Sequence, residues 1–330
     1  MGTSARTNPD TRTGRLKYMA PDVESSLYRN GKVLTHRDRD GSDTGRKGID
    51  LVEHDIPIGD ARAFGKIDRH TLRANGFELI RTPPPLPKFD FLNQEQVVHH
   101  YYPACAEIVR DACGADFVIA FDHNVRSATG KQTKHRIKGG QQVQGPAHLV
   151  HGDYTLTSAP QRLRDLAKPP ARNDTYQTTL AEGETLLNSR DVERALANGR
   201  YAIINLWRNI ADEPVATHPL ALCDAASVDP EDLVVLEIHY QDRIGENYFA
   251  KHADRHTWHF FPYLTRDEAL LIKQWDSAGA LALSNGEEPD SITPEAPCTF
   301  SFHSAFDDPT TPLNAPDRWS AEVRCLAIYV

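Results

Sequence analysis

No stretch of this chain is apolar for the roughly 20 residues that a bilayer-spanning helix needs, and its N-terminus carries no hydrophobic signal core. Basic residues are outnumbered: 37 Lys and Arg stand against 46 Asp and Glu, for a formal net charge of -9. The C-terminal half has no Lys/Arg-rich face, which argues against nucleic acid and anionic membrane as partners. Cysteine is scarce. The five (Cys105, Cys113, Cys223, Cys298 and Cys325) are odd in number, scattered, and form no CxxC pair. That pattern argues against a disulfide framework or a structural zinc site and fits a reducing, cytoplasmic setting. Internal repeats are also missing.

At 330 residues the chain is long enough to bury a sizeable core. Met1 to Arg15 is polar and rich in Arg, Thr and Gly, so residues 1–20 are expected to form a disordered tail. Residues 21–330 are then a single domain, with the core mainly in 115–330. Helical spacing predicts helices at Asn93–Cys113, Ser158–Leu166 and Leu180–Ala197. A Thr cap and acidic first turn at Thr265-Arg266-Asp267-Glu268 predict another, running to Trp275. Strands are expected at Asp116–Phe121, Tyr201–Trp207, Leu233–Tyr240, Thr257–Phe261, Cys298–His303 and Glu322–Val330. Helices early and strands late suit an α+β fold with a β-sandwich or jelly-roll core. The basic stretch Arg126–Lys138 reads as a solvated loop.

One tripeptide carries chemistry. His151-Gly152-Asp153 puts an imidazole and a carboxylate on one side of a strand, because strand side chains repeat every two residues. With a distant second His, such a pair forms the two-His-one-carboxylate facial triad of non-haem Fe(II) oxygenases, which leaves one face of the metal open. The tripeptide alone is weak evidence, since His36-Arg37-Asp38 and His252-Ala253-Asp254 have the same spacing. The first lies in a polar run that reads as loop or disorder. The second follows Tyr248-Phe249-Ala250-Lys251 and is a serious rival.

Two later histidines are candidates for the third ligand, His259 and His303. Only His303 is followed by a strand bearing an arginine, Arg324. A guanidinium there suits a dicarboxylate, since its fork forms two parallel hydrogen bonds. Arg318, six residues earlier, competes with it. Trp207, Arg208 and Trp258 are candidates for a substrate pocket. The plainer alternatives are a surface role for Arg208 and core packing for Trp258. His123 is expected to be an ordinary hydrogen-bonded histidine, and His99-His100 helix surface.

Several stretches, taken together, carry a family resemblance. They are Phe121-Asp122-His123-Asn124-Val125-Arg126, Val150-His151-Gly152-Asp153-Tyr154-Thr155, Ile204-Asn205-Leu206-Trp207-Arg208 and Trp258-His259-Phe260-Phe261-Pro262. With them go Glu268 to Ser277, His303-Ser304-Ala305-Phe306-Asp307-Asp308-Pro309 and Glu322-Val323-Arg324. In this order they resemble the hydroxylase/desaturase family that includes fungal gibberellin desaturase and the smaller component of the cephamycin methoxylase system. The resemblance implies a double-stranded β-helix, Fe(II), and 2-oxoglutarate and O2 as co-substrates. It implies His151, Asp153 and His303 as iron ligands and Arg324 as the 2-oxoglutarate anchor. It also implies hydroxylation, desaturation or cyclisation of a small molecule in specialised metabolism. Gly152 is smaller than expected between the ligands, as if to widen the pocket. Two other classes stay open: a Zn(II) hydrolase using the same ligands, and a non-catalytic jelly-roll binding protein.

Overall fold

The computed structural model describes residues 11–38, 43–63, 70–85, 89–171, 174–241 and 243–329. Among them lie fifteen strands. They are β1 (Thr11–Met19), β2 (Leu34–Arg37), β3 (Asp43–Lys47), β4 (Leu51–Asp60), β5 (Phe77–Arg81), β6 (Phe117–Arg126), β7 (His151–Gly152) and β8 (Arg200–Asn209). After these come β9 (Leu220–Cys223), β10 (Leu233–His239), β11 (Ile244–Ala250), β12 (Trp258–Phe260), β13 (Glu268–Asp276), β14 (His303–Ala305) and β15 (Ser320–Tyr329). The described helices are α1 (Gln94–Gln96), α2 (Tyr102–Cys113), α3 (Ala128–Gln132), α4 (Ser158–Leu166), α5 (Ser189–Ala197) and α6 (Ala280–Leu283). A π-helical turn, Val97–Tyr101, joins α1 to α2.

The strands form two sheets. The larger runs β1-β4-β12-β9-β14-β7-β11-β10-β2-β3 and the smaller β5-β13-β8-β15-β6. From β6 onward the chain crosses repeatedly between them. β6, β8, β13 and β15 lie in the small sheet, while β7, β9 to β12 and β14 lie in the large one. This is the expected α+β architecture with a jelly-roll core. The inner faces meet in one apolar cluster that draws Tyr18, Ile56, Tyr248 and Trp258 from the large sheet and Ile203, Trp275, Leu326 and Ile328 from the small one.

Alternation along β15 decides what faces where. Ala321, Val323, Cys325 and Ala327 pack outward under α2, against Tyr102, Cys105 and Val109. Glu322 and Arg324 face inward, in register with Trp207 and Asn205 of β8 and with Asn124 and Asp122 of β6. The small sheet is therefore apolar on its helix-covered face and polar where the two sheets enclose a cavity. α2 closes with Gly114 in the left-handed region (φ 67°), whose N–H reaches the Arg110 carbonyl.

Four expectations are corrected. The predicted helix at Thr265–Trp275 is strand β13, paired with β5 on one side and β8 on the other and buried along its whole length. A strand covered on both faces shows no alternation, so its apolar run imitates a helix. The Thr–Glu pair does close on itself, with the Thr265 N–H and hydroxyl on Glu268 Oε2 (3.0 and 3.2 Å), but it shapes a turn. The helix predicted from Leu180 starts only at Ser189, capped by the Asn188 side chain. The expected tail is ordered from Thr11: β1 pairs with β4 along its full length, so the core extends well before residue 115. Residues 1–10 lie outside the described residues. His36 and Arg37, read as loop, belong to β2, which pairs with β10 and β3. Residues 39–42 of that run lie outside the described ones.

Candidate metal centre

Register, more than any single residue, builds the site. β7 is two residues long and lies between β11 and β14, with His151 directly opposite His303. Cross-strand neighbours hold their Cβ atoms about 5 Å apart, so two residues 152 positions apart in the chain become immediate partners. Their rings stand 4.3 Å apart between centroids. Asp153, just past the strand, completes the group: one ligand atom from each of His151, Asp153 and His303 falls within 4.8 Å of the others.

The surroundings orient two of the candidate ligands, His151 and Asp153. His151 Nδ1 lies 2.6 Å from the Leu149 carbonyl, so that nitrogen is the N–H donor and Nε2 is left as a lone-pair donor. Nε2 stands 3.7 Å from Asp153 Oδ1. The other carboxylate oxygen, Oδ2, accepts from Asn205 Nδ2 (3.0 Å) and Arg324 Nε (3.2 Å). The Asp153 backbone N–H donates to Gln274 Oε1 (3.1 Å). Gln274 sits at the irregularity where the β13–β8 register shifts, and such bulges re-aim side chains.

Electrostatics favour a cation. Burial pushes the Asp153 carboxyl up, but Arg324, His303 and His151 outweigh it and hold the group ionised, well below the usual carboxylate range. Burial, then His303, drives His151 down to about 4, and burial lowers His303 too, so both imidazoles are neutral at pH 7. Two neutral imidazoles and one carboxylate suit a divalent first-row metal such as Fe(II), and the donor set fits that ion.

A cavity opens beside the candidate ligands, lined by Arg126, Ala147, His151, Trp207, Leu220, His303, Ala305, Arg318 and Glu322. Arg318 Nη1 donates to the His218 carbonyl, and its guanidinium carbon lies 5.6 Å from the Trp207 ring centroid. Its buried Nε has no hydrogen-bond partner. Burial and the nearby Arg126 bring its pKa down to about 9, so it stays cationic at neutral pH. Arg324 is differently placed. Besides Asp153 it binds Asp122 Oδ2 (2.9 Å), and Glu322 lies 3.6 Å away.

Other expected site residues fall elsewhere. Trp207 lines the cavity. Arg208, its neighbour on β8, faces the opposite side, where it binds the Tyr101 hydroxyl (2.8 Å), the Thr82 carbonyl and the Arg266 carbonyl (2.8 Å). Alternation excludes it from the cavity. Trp258 packs in the inter-sheet cluster with Nε1 on the Tyr18 hydroxyl (2.7 Å). His259 packs against His70, the rings tilted by 53° with centroids 4.1 Å apart, rather than joining the candidate ligands. His123 meets the Tyr102 hydroxyl at 2.8 Å, and His99 and His100 are exposed. Gly152 points away from the ligands; a Cβ there would lie 3.1 Å from the Phe300 ring, so its smallness serves the core rather than the pocket. Arg126, read as part of a solvated loop, ends β6 inside the cavity. Asn205, Gln274, Arg126 and Glu322 were not singled out as site residues. The inward phase they share with Arg324 across paired strands would have found all but Gln274.

The family described as "Oxidoreductase/YMDC permease-like domain" matches residues 16–328. An alpha-ketoglutarate-dependent dioxygenase of Talaromyces stipitatus, tstK, is 30% identical over 267 residues, covering 79% of this chain and 81% of its own. The chain belongs to the Fe(II)/2-oxoglutarate-dependent dioxygenases. An uncharacterized protein in the dcmA 3′ region of Methylophilus leisingeri is 42% identical over 196 residues, 59% of this chain and 89% of that one. The solved structure of the iron and alpha-ketoglutarate-dependent endoperoxidase NvfI superposes with a TM-score of 0.71 at 20% identity, over 98% of this chain and 99% of that one. It shares the double-stranded β-helix fold. Despite "permease-like" in the family description, no described helix is long and apolar enough to cross a membrane. As a dioxygenase of this family, the protein depends on Fe(II) and 2-oxoglutarate; the hydrolase and binding-protein alternatives give way.

Proposed function

We propose that His151, Asp153 and His303 hold the iron, that Arg318 anchors the far carboxylate of 2-oxoglutarate, and that the enzyme hydroxylates, desaturates or cyclises a small molecule of specialised metabolism. The observation that carries this reading is the closure of the three ligands on one point beside a cavity with a buried, incompletely bonded guanidinium. When bound, iron with 2-oxoglutarate and O2 supplies the oxidising power to remove hydrogen from an unactivated C–H bond.

The residues divide the remaining work. Arg324 and Asn205 hold one oxygen of Asp153, leaving the other for the metal. That engagement argues against Arg324 as the co-substrate anchor, because a second carboxylate would have to displace Asp153 or Asp122. Arg318 has no carboxylate to surrender and retains a free Nε. Its contact with the Trp207 face fixes the plane of the fork. Trp207, Leu220, Ala147 and Ala305 give the cavity an apolar wall that excludes water from the reacting bond. Relatives named hydroxylase/desaturase, and the endoperoxidase, support a substrate from specialised metabolism.

The test is oxygen-dependent succinate release from 2-oxoglutarate with Fe(II), with and without candidate scaffolds. The expected result is slow uncoupled turnover that accelerates with the true substrate. Loss of succinate formation in Arg324→Ala with unchanged iron affinity, and normal 2-oxoglutarate use in Arg318→Ala, would overturn the anchor assignment.

A further inference from the structure

The described residues contain a second group of two imidazoles and a carboxylate, and the reading above leaves it without a role. His148 lies three residues before β7, His218 two before β9, and Asp307 two after β14. One ligand atom from each falls within 4.8 Å of the others. The Nδ1 atoms of His218 and His148 face the same oxygen, Asp307 Oδ1, at 3.2 and 3.8 Å. The two rings stand perpendicular, 4.9 Å apart between centroids.

We propose that His148, His218 and Asp307 form a second, exchangeable site for a divalent transition ion of the zinc type, at the rim of the cavity. Zinc binds imidazole nitrogen and carboxylate oxygen at about 2.0–2.2 Å, so tetrahedral donors sit roughly 3.3 Å apart, close to the separations seen here. A hydrogen-bonded cluster without an ion is the plainer account. It would have to hold two rings on one oxygen of a carboxylate that is 63% exposed, where such pairs contribute little. The backbone points the same way. His218 adopts φ 45°, a left-handed conformation that residues with side chains seldom take and that clusters at active sites and ligand clamps.

The nearby cations are accounted for. Lys17 and Arg15, both on β1, are paired with Glu53 (3.3 Å) and Asp55 (3.1 Å). Arg318 faces the cluster but spends Nη1 on the His218 carbonyl. That bond also ties the rim to the cavity. Next to His148, Ala147 lines the cavity and its carbonyl accepts from the Ala305 N–H (2.8 Å). An ion here would staple the three segments that carry His148, His218 and Asp307, and with them the seat of Arg318. The partial exposure of all three ligands makes the ion exchangeable, unlike one held by the buried triad.

The test removes the buried triad first. Asp153→Ala/His303→Ala protein, checked for folding by circular dichroism, is titrated with Zn(II) and its metal counted after dialysis. One zinc per chain is expected, with a rise in melting temperature. Adding His148→Ala/His218→Ala should abolish both. Should the first variant not fold, the wild type serves: zinc per chain should fall from two to one in His148→Ala/His218→Ala. The proposal is overturned if the triad-deficient protein binds no zinc, or if zinc persists unchanged without the rim histidines. Iron binding by otherwise wild-type protein is measured separately, so failure here leaves the catalytic reading untouched.

Discussion

Two His-x-Asp tripeptides flank strand β11. In His151-Gly152-Asp153 the ring and carboxylate are 3.7 Å apart; in His252-Ala253-Asp254 they are 3.9 Å apart. The separations barely distinguish them, although Nε2 faces the carboxylate in the first and Nδ1 in the second. What differs is the setting. Asp153 is clamped by Arg324 and Asn205, and His151 faces His303 across a strand pair. Asp254 is fully exposed, and His252 instead stacks on the His54 ring at 4.2 Å. What makes the first tripeptide a candidate metal centre is the third histidine and the groups that orient His151 and Asp153, not the tripeptide itself.

The largest effects should separate the two copies outright. His151→Ala, Asp153→Ala and His303→Ala should each abolish iron binding and reduce succinate formation to background. His252→Ala and Asp254→Ala should keep one iron per chain and unchanged turnover. Iron counting after anaerobic loading decides it: iron lost from His252→Ala but retained in His151→Ala would invert the comparison.

How much of this was legible beforehand follows the same line. Strand alternation placed His151 and Asp153 on one side, and strand order selected His303 over His259. Strand position ranked Arg324 above Arg318 as the anchor; the proposal of Arg318 rests instead on Asp153 and Asp122 already occupying Arg324, contacts that no spacing reveals. Gln274 was invisible, since it reaches Asp153 from a bulge and bulges leave no periodic trace. Arg208 and Trp207 are adjacent, so alternation allowed only one of them into the cavity. β13 was mistaken for a helix because both of its faces are buried.

Next in size are the two arginines that make one tripeptide a centre. Arg324→Ala strips a charged partner from Asp153, and losing such an orienting group typically weakens metal binding by about 10–100-fold. Arg318→Ala should leave iron affinity nearly intact and raise the 2-oxoglutarate KM by more than about tenfold, since a hydrogen bond to a charged group contributes about 1.5–3 kcal/mol. Parallel iron and 2-oxoglutarate titrations read both. If each variant weakened both ligands equally, the division of labour between them would fail.

Smaller again is the effect of the neutral partners. Asn205→Ala removes one bond to Asp153 Oδ2, and Gln274→Ala leaves the Asp153 N–H unmatched, a loss of about 1 kcal/mol for a neutral bond. Each should weaken iron several-fold. No substitution around Asp254 should have any counterpart effect.

The smallest expected effect lies in the rival tripeptide and appears in pH. Burial, then His54, lowers the His252 pKa, while Asp254 opposes the shift. A histidine whose folded pKa is below its unfolded value of about 6.5 takes up its proton more readily when unfolded. Its contribution is therefore full above about pH 6.5 and is lost as pH falls toward the folded pKa. In the metal-free protein His123, His151 and His259, all driven to about 4 chiefly by burial, act in the same direction and should dominate the acid loss of stability. His252 is more open, so solvent screening shrinks its share. His252→Gln should make the fall in Tm between about pH 7 and about pH 5 shallower by roughly one degree or less, the scale of a few tenths of a kcal/mol in a chain of this size. Asp254→Asn removes the opposing charge, so it should steepen the same fall slightly. An unchanged slope in Asp254→Asn would mean that the exposed carboxylate does not act on His252, and that this tripeptide lacks even the pairwise coupling its 3.9 Å separation implies.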